Sequence, residues 1–273
     1  MRTAVVGHVE WVEFARVERV PAAGEIVTAE RDWALPAGGG AVAAVQFTRL
    51  AGDCTLYTAL GDDELGERSR RELEELGVRV EAVIRSGRPT RKAFTFLDGD
   101  GERTITVVGD RLEPARDDPL PWDELSGVDA AYFTAGDPAA LRAARDSRVL
   151  VATARVMDVI ESAGVQLDAV VGSGRDPAER YRGYDPPPRL VVTTAGAAGG
   201  GWQGLEGRTG EWSAAPVPGP IADSYGCGDS FAAGLAFGLA RDGDTGRALD
   251  VAARCGAVCL TGNGPYEHQL TLV

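Results

Sequence analysis

The 273-residue sequence predicts an α/β fold: a mostly parallel central sheet covered by helices, with a small separate β-sheet beside it. Short apolar runs alternate with helix-length segments, the pattern of parallel strands joined by helical crossovers. Two stretches break that rhythm with alternating apolar and polar residues, as antiparallel strands do. Hydrophobic residues make up 44% and charged residues 25%, ordinary for a globular chain able to bury a sizeable core.

In chain order, AVVG (4–7) is the first strand. The opening MRTAVVGHVEW has one short apolar run followed by a histidine and glutamates, which suits a buried strand and not a signal peptide. Residues 10–35 form the first irregular stretch, and AVAAVQFTRLA (41–51) is a helix. TLYTAL (55–60) is a strand, and DELGERSRRELEELG (63–77) an amphipathic surface helix with Leu65, Leu73 and Leu76 near one stripe and Gly77 as its cap. The second irregular stretch, RKAFTFLDGDGERTITVV (91–108), holds a DGDG turn between strand-like runs and reads as a hairpin. AAYFT (130–134), RVLVA (148–152), LDAVV (167–171) and RLVVTT (189–194) are strands rich in β-formers, with a helix at 137–146. Long helices at 229–241 and 245–260 follow. The two irregular stretches can pair as a lid over the strand ends, where open parallel sheets bind ligands. The expected division is a core of 1–9, 37–89 and 109–273 and a lid of 10–36 and 90–108.

A net charge of −13 argues against a nucleic-acid partner, which calls for a basic face. No window approaches the ~20 apolar residues of a membrane helix, so a cytoplasmic protein without a membrane partner is expected. Cys54, Cys227, Cys255 and Cys259 lack CxxC spacing and the histidines are His8 and His268, so neither a disulfide framework nor a zinc site is indicated. Cys255 and Cys259 read as core residues one helical turn apart. Only one of the 28 basic residues, Lys92, is lysine, a bias without catalytic meaning.

DSYGCGDSF (223–231) places Gly226, Gly228 and Asp229 before the apolar run AAGLAFGLA. Glycines let successive amides point into one concavity, and the helix that follows adds unpaired amides and the positive end of its dipole. Phosphate suits such a site. Phosphoryl transfer needs an in-line nucleophile, neutralised charge and an acceptor for the hydroxyl proton, and Asp229 is placed to be that acceptor. Taken alone, the stretch is equally a capping turn. Gly234 and Gly238, four apart, read as helix-packing points.

The stretch resembles the second signature of the ribokinase-like, or PfkB, carbohydrate kinases, Asp-Thr-x-Gly-Ala-Gly-Asp-x-Phe, with Ser224 for Thr and Cys227 for Ala. Other segments fit in order: PAAGE (21–25), AGGGAVAAVQFTRLAG (37–52), ALGDDELGERSRRELEELGV (59–78), GERTI (101–105), VVTTAGAAGG (191–200) and ALDVAARCGAVCLTGNG (248–264). The resemblance implies a ribokinase-like three-layer α/β/α sandwich with a β-lid, ATP and Mg2+ as cofactors, and a small sugar-like substrate. Asp229 matches the base, and Gly226, Cys227 and Gly228 the anion hole. Thr194, Gly196 and Gly199 match the nucleotide phosphate and ribose loop, and Asn263 and Gly264 a loop near the adenine. Asp223 matches a monovalent-cation position of some members. A homodimer through the lid is left open.

The substrate side departs from the family. Where members carry an Asp after the first strand, this chain offers Glu10 and Glu13. Gly38, Gly39 and Gly40 keep the glycine cluster, but Ala43 or Ala44 stands where the sugar-binding Asn is usual. The Asn-x-x-Glu motif associated with magnesium becomes Ser173 and Asp176. Arg88, Arg91 and Lys92 either meet a phosphorylated or acidic substrate or protect a solvated strand edge; Lys92 is carried as a substrate candidate.

Rival classes fail on residues. A P-loop needs Gly-Lys-Ser/Thr, and Lys92 lies between Arg91 and Ala93. Gly199, Gly201 and Gly204 have dinucleotide-fingerprint spacing, but WQGLEGRTGEW after them has no helical pattern. A cysteine or serine hydrolase lacks a suitably placed histidine. The expected activity is ATP-dependent phosphorylation of a hydroxyl on a small sugar-like molecule. A nucleoside kinase and a catalytically weak ligand-binding relative are the alternatives.

Overall fold

In the computed structural model, residues 1–99 and 101–272 are described. The chain runs β1 (Thr3–Val6), β2 (Glu10–Arg16), β3 (Arg31–Ala37), α1 (Gly39–Ala51), β4 (Thr55–Gly61), α2 (Glu64–Glu75), β5 (Arg79–Arg85), β6 (Lys92–Leu97) and β7 (Arg103–Val108). It continues through β8 (Ala130–Phe133), α3 (Pro138–Ala144), β9 (Val149–Thr153), α4 (Met157–Ala163), β10 (Ala169–Ser173), β11 (Leu190–Thr194), β12 (Gly200–Gly204), β13 (Thr209–Trp212), α5 (Cys227–Asp242) and α6 (Thr245–Cys259).

The large sheet has the order β13-β12-β11-β10-β9-β8-β1-β4-β5. Strands β11 through β5 pair in parallel, and the two antiparallel strands β12 and β13 extend one edge. One face packs against α1, α2, α5 and α6 through Phe47, Leu73, Phe231 and Leu249. The other packs against α3 and α4 through Phe133, Leu141 and Ile160. The parallel strands are nearly continuous apolar runs because both faces are covered.

All six strands and five helices expected from the apolar pattern form, with ends shifted by a few residues. Strands β5, β12 and β13 and helix α4 are additional. The long C-terminal helix starts two residues earlier than its pattern suggested, at Cys227, with Gly226 as its N-cap. Cys255 and Cys259 are fully buried.

The two irregular stretches form one four-stranded sheet, order β3-β2-β6-β7. Its hairpin turn holds Asp98 and Gly101, whose amide donates to the Asp98 carbonyl; Asp100 of the expected DGDG lies outside the described residues. EIVTAE does not join the sheet: strand structure resumes at Arg31, and Ile26 is 98% exposed. One face, with Val12, Phe14, Ala93 and Leu97, packs on Val42 of α1 and on Tyr225. Ile105 and Val107 share that face by register with Thr95 and Ala93 but are exposed, so a cleft lies beneath β7.

Helices α5 and α6 touch through the glycines singled out in the sequence. A Cβ on Gly238 would lie 2.6 Å from Ala248 Cα, and one on Gly234 2.8 Å from Cys255 Sγ. The first obstacle is backbone and cannot rotate away. Gly238→Ala should therefore destabilise the fold by about 1–3 kcal/mol, the usual cost of overpacking. A denaturation midpoint unchanged from wild type would refute this.

Candidate active site

The chain runs from β1 through α1 to β4 on one side, then returns to β8 on the other side of β1. That reversal opens a crevice at the carboxyl ends of β1 and β8, the usual ligand position in open α/β sheets. His8 follows β1 there and Thr134 follows β8. The N-termini of α1 and α5 point into the same place, because Gly39 and Asp229 touch. A Cβ on Gly39 would sit 2.8 Å from both Asp229 Oδ1 and Thr134 Oγ1.

The turn before α5 is held from below. Asp223 is fully buried; its Oδ1 accepts from the Tyr225 amide at 2.7 Å and its Oδ2 from the Gly264 amide at 2.9 Å. Its side chain thus clamps the DSYG turn to the TGNG loop, and burial raises its pKa. Gly226 adopts φ +79°, a left-handed conformation that favours glycine, and a Cβ there would strike Pro265 at 2.8 Å. The first intrahelical bond of α5 runs from the Ser230 amide to the Gly226 carbonyl. The amides of Cys227, Gly228 and Asp229 therefore precede the hydrogen-bonded ladder, and none meets a protein acceptor among the described residues. A Cβ on Gly228 would meet nothing within 4 Å, so the space above this amide run is open.

Burial pushes the Asp229 carboxyl up to about 6, with the negative charge of Glu179 adding to the effect. Arg103, a hydrogen bond from Tyr132 and Arg155 oppose the shift. The Tyr132 hydroxyl donates to Asp229 Oδ1 at 3.4 Å. Arg103, on β7, reaches across the cleft and donates to Ser224 Oγ at 3.0 Å and to its carbonyl at 3.1 Å. Arg155 pairs with Asp176 at 2.8 Å and also with Glu179.

Of the sequence candidates, the structure gathers Asp229, Gly226, Cys227, Gly228, Gly38, Gly39, Gly40 and Glu10 around one cleft. Tyr225 bridges two of these elements, accepting from the Gly38 amide at 3.2 Å and donating to Glu10 Oε1 at 3.4 Å. Thr194 ends β11, and its carbonyl accepts from the Gly174 amide at 2.8 Å. A Cβ on Gly196 would lie 3.1 Å from the Arg175 guanidinium, and one on Gly199 2.1 Å from the Trp212 carbonyl. Asn263 Oδ1 accepts from Arg16 at 3.2 Å, beside Gly264. Asp176 caps a short turn, accepting from the Ala178 amide at 2.9 Å.

Two candidates are not brought to the cleft. Glu13 pairs in register with Ala34 and Phe94 on the outer face of the small sheet, because strand side chains alternate and Val12 and Phe14 face inward. Lys92 lies on that same outer face, its Nζ 6.0 Å from the Phe94 ring. The basic trio divides accordingly: Arg88 pairs with Asp110 at the exposed rim, while Arg91 turns inward to Glu10.

His8, Tyr132, Thr134, Arg155 and Glu179 line the candidate site without a motif to announce them, and Arg103 lies in the GERTI segment, which does not single it out. His8 and Thr134 had one usable signal, their position just after a buried strand.

Known proteins resemble the chain over nearly its whole length. The family model described as pfkB family carbohydrate kinase matches residues 2–162 and 167–271. An ATP-dependent ribose-1-phosphate kinase of Halopiger xanaduensis is 30% identical over 284 residues, covering 94% of this chain and 91% of that protein. Among solved structures, Arabidopsis thaliana ribokinase complexed with ribose and ATP superposes with a TM-score of 0.75 at 18% identity, covering 98% and 95% of the two chains. Ribokinase from Giardia lamblia gives 0.79 at 15% identity, covering 99% and 97%.

Proposed function

The chain belongs to the pfkB family of carbohydrate kinases and is a phosphotransferase, and from that premise we propose that it moves the γ-phosphoryl group of ATP onto a hydroxyl of a sugar monophosphate. The observation that carries the reaction type is the run of unpartnered amides at 227–229 with the Asp229 carboxyl beside them. The Halopiger relative's name supports a phosphorylated acceptor.

In this reading Asp229 accepts the hydroxyl proton as the oxygen bonds to phosphorus, and ADP leaves with the electrons of the broken P–O bond. Gly226, Cys227 and Gly228 gather the charge on the transferring oxygens through backbone amides, so the Cys227 thiol takes no part. Arg103 approaches from the small sheet, which acts as a lid and excludes the water that would otherwise consume ATP. Thr194, Gly196 and Gly199 line the nucleotide phosphates, with Asn263 and Gly264 near the base.

No group of three His, Cys, Asp or Glu side chains suited to a metal occurs among the described residues. Magnesium binds through one or two carboxylates with waters and substrate phosphates and so calls for no such group. Asp176 and Glu179, joined by Arg155, are the carboxylates that would face it, and the ion would neutralise triphosphate charge. Asp223 spends both oxygens on backbone amides, so the reading gives it a structural role and needs no monovalent cation.

The test is turnover with ATP and magnesium against ribose, fructose, adenosine and ribose 1-phosphate. Phosphorylation of ribose 1-phosphate, lost on adding a magnesium chelator, is the expected result. ATP hydrolysis without transfer to any acceptor would sink the proposal.

A further inference from the structure

Beside the catalytic crevice lies a cluster the phosphoryl-transfer step does not use. His8, 8% exposed, has a buried Nδ1 without a hydrogen-bond partner, and the Nε atoms of Arg91 and Arg111 are likewise buried without one among the described residues. Arg91 Nε stands 3.4 Å from Glu10 Oε2, an ion pair lacking hydrogen-bond geometry. Arg111 Nη1 has Glu113 Oε1 at 3.5 Å. Polar groups are rarely buried unsatisfied, and three together mark a place that a guest rich in acceptors completes.

The location is specific. A Cβ on Gly38 would lie 3.0 Å from His8 Cδ2 and 3.1 Å from Nε2, so the imidazole presses against the start of α1. The next residue, Gly39, touches Asp229. Gly38 and Gly39 are adjacent, so His8 of the cluster and the Asp229 base both flank the start of α1, where one small molecule can meet both.

The groups facing the cluster are Glu10, Arg91, Arg111 and Arg155. Burial is the main reason that the His8 pKa falls to about 3, with Arg111, Arg91 and Arg155 adding to it. The ring is thus neutral and serves as a hydrogen-bonding partner, not a charge. Burial raises the pKa of the Glu10 carboxyl, the acid paired with Arg91. Of the features expected to hold a neutral sugar, Glu13 faces outward and Ala43 and Ala44 are fully buried on α1, while Glu10 stays at the cleft engaged by Tyr225 and Arg91.

We infer that His8, Arg91 and Arg111 form a subsite for the phosphate already carried by the acceptor sugar, which makes the enzyme select sugar monophosphates over free sugars. This rests on the acceptor proposed above and assigns its selectivity to named residues. Planar guanidiniums match phosphate oxygens, and the subsite orients the far hydroxyl toward Asp229.

Calorimetric titration of Asp229→Asn protein, saturated with ADP to fill the nucleotide cradle, tests this without turnover. Ribose 1-phosphate should bind at least roughly 30-fold tighter than ribose, the effect expected of charge-assisted hydrogen bonds. Arg91→Gln and Arg111→Gln should each remove about tenfold or more of that preference. Arg111 is partly exposed, so its substitution is readable even if loss of Arg91 strands Glu10 and unfolds the chain. Equal binding of the two ligands, or a preference untouched by the arginine substitutions, overturns the inference. An arginine-dependent preference in a protein whose wild type transfers no phosphoryl group upholds the subsite and counts against the kinase reading alone.

Discussion

Asp229→Asn should lower kcat by about 10²- to 10⁴-fold, the usual contribution of a general base, while making the folded protein more stable at neutral pH. Asparagine keeps the shape of the side chain but cannot take the proton from the attacking hydroxyl. In the wild type, burial and Glu179 raise the carboxyl from 3.8 to about 6. The rate should therefore fall about tenfold per pH unit as pH drops below that value, since only the carboxylate is a base.

The same shift acts on stability with a defined sign. Between pH 4 and 6 the unfolded chain has released this proton and the folded chain still holds it, so stability falls as pH rises through the window and levels off above it. Asparagine removes that penalty, a gain of about 1–3 kcal/mol at pH 7. Rate and denaturation measurements from pH 4.5 to 8 check both arms. A variant with undiminished kcat, or a wild type fully active at pH 5, would remove Asp229 from the base role.

Much of this was legible in the sequence because it is local. The run after Asp229 announces a buried helix, and Gly226 and Gly228 announce the turn before it. The elements that were missed carry weak local signals. RVEAVIR, which forms β5, is an edge strand with charges at Arg79, Glu81 and Arg85 that break its apolar pattern. MDVIESA gives α4 only seven residues, too short for a clear period. GGWQG and TGEW, β12 and β13, are glycine-rich and short, and pairing of β12 with β11 and of β13 with β12 holds them in place.

The site was legible in halves. Residues on the α5 turn were found from their glycines and the helix that follows, and Gly38–Gly40 from the family resemblance. His8, Arg103, Arg155 and Glu179 come from four distant segments, and only the sheet order brings them together. Glu13 and Lys92 failed for a different reason: alternation decides which face a strand residue takes, and one residue of register reverses it.

Gly39→Ala separates positioning from folding. Gly40 could not make that separation, because its Cβ would press on the His8 carbonyl at 2.6 Å and on Gly7 C at 2.8 Å, backbone atoms at the end of β1. Gly38 could not either, with φ at +88°. Gly39 has no positive φ, and the atoms nearest its new methyl belong to two side chains, the Asp229 carboxyl and the Thr134 hydroxyl. Both contacts are 2.8 Å, closer than carbon and oxygen tolerate, so the carboxyl must move by a fraction of an ångström. A displacement approaching 1 Å at a reacting group costs on the order of 100-fold, and kcat/KM for the acceptor should fall by about that factor. The KM for ATP should stay near wild type, because the loops at Thr194 and Gly264, proposed above to hold the nucleotide, lie outside the disturbed contacts. A Gly39→Ala enzyme with wild-type acceptor kinetics would show that the Asp229 carboxyl does not work from the position it occupies against α1.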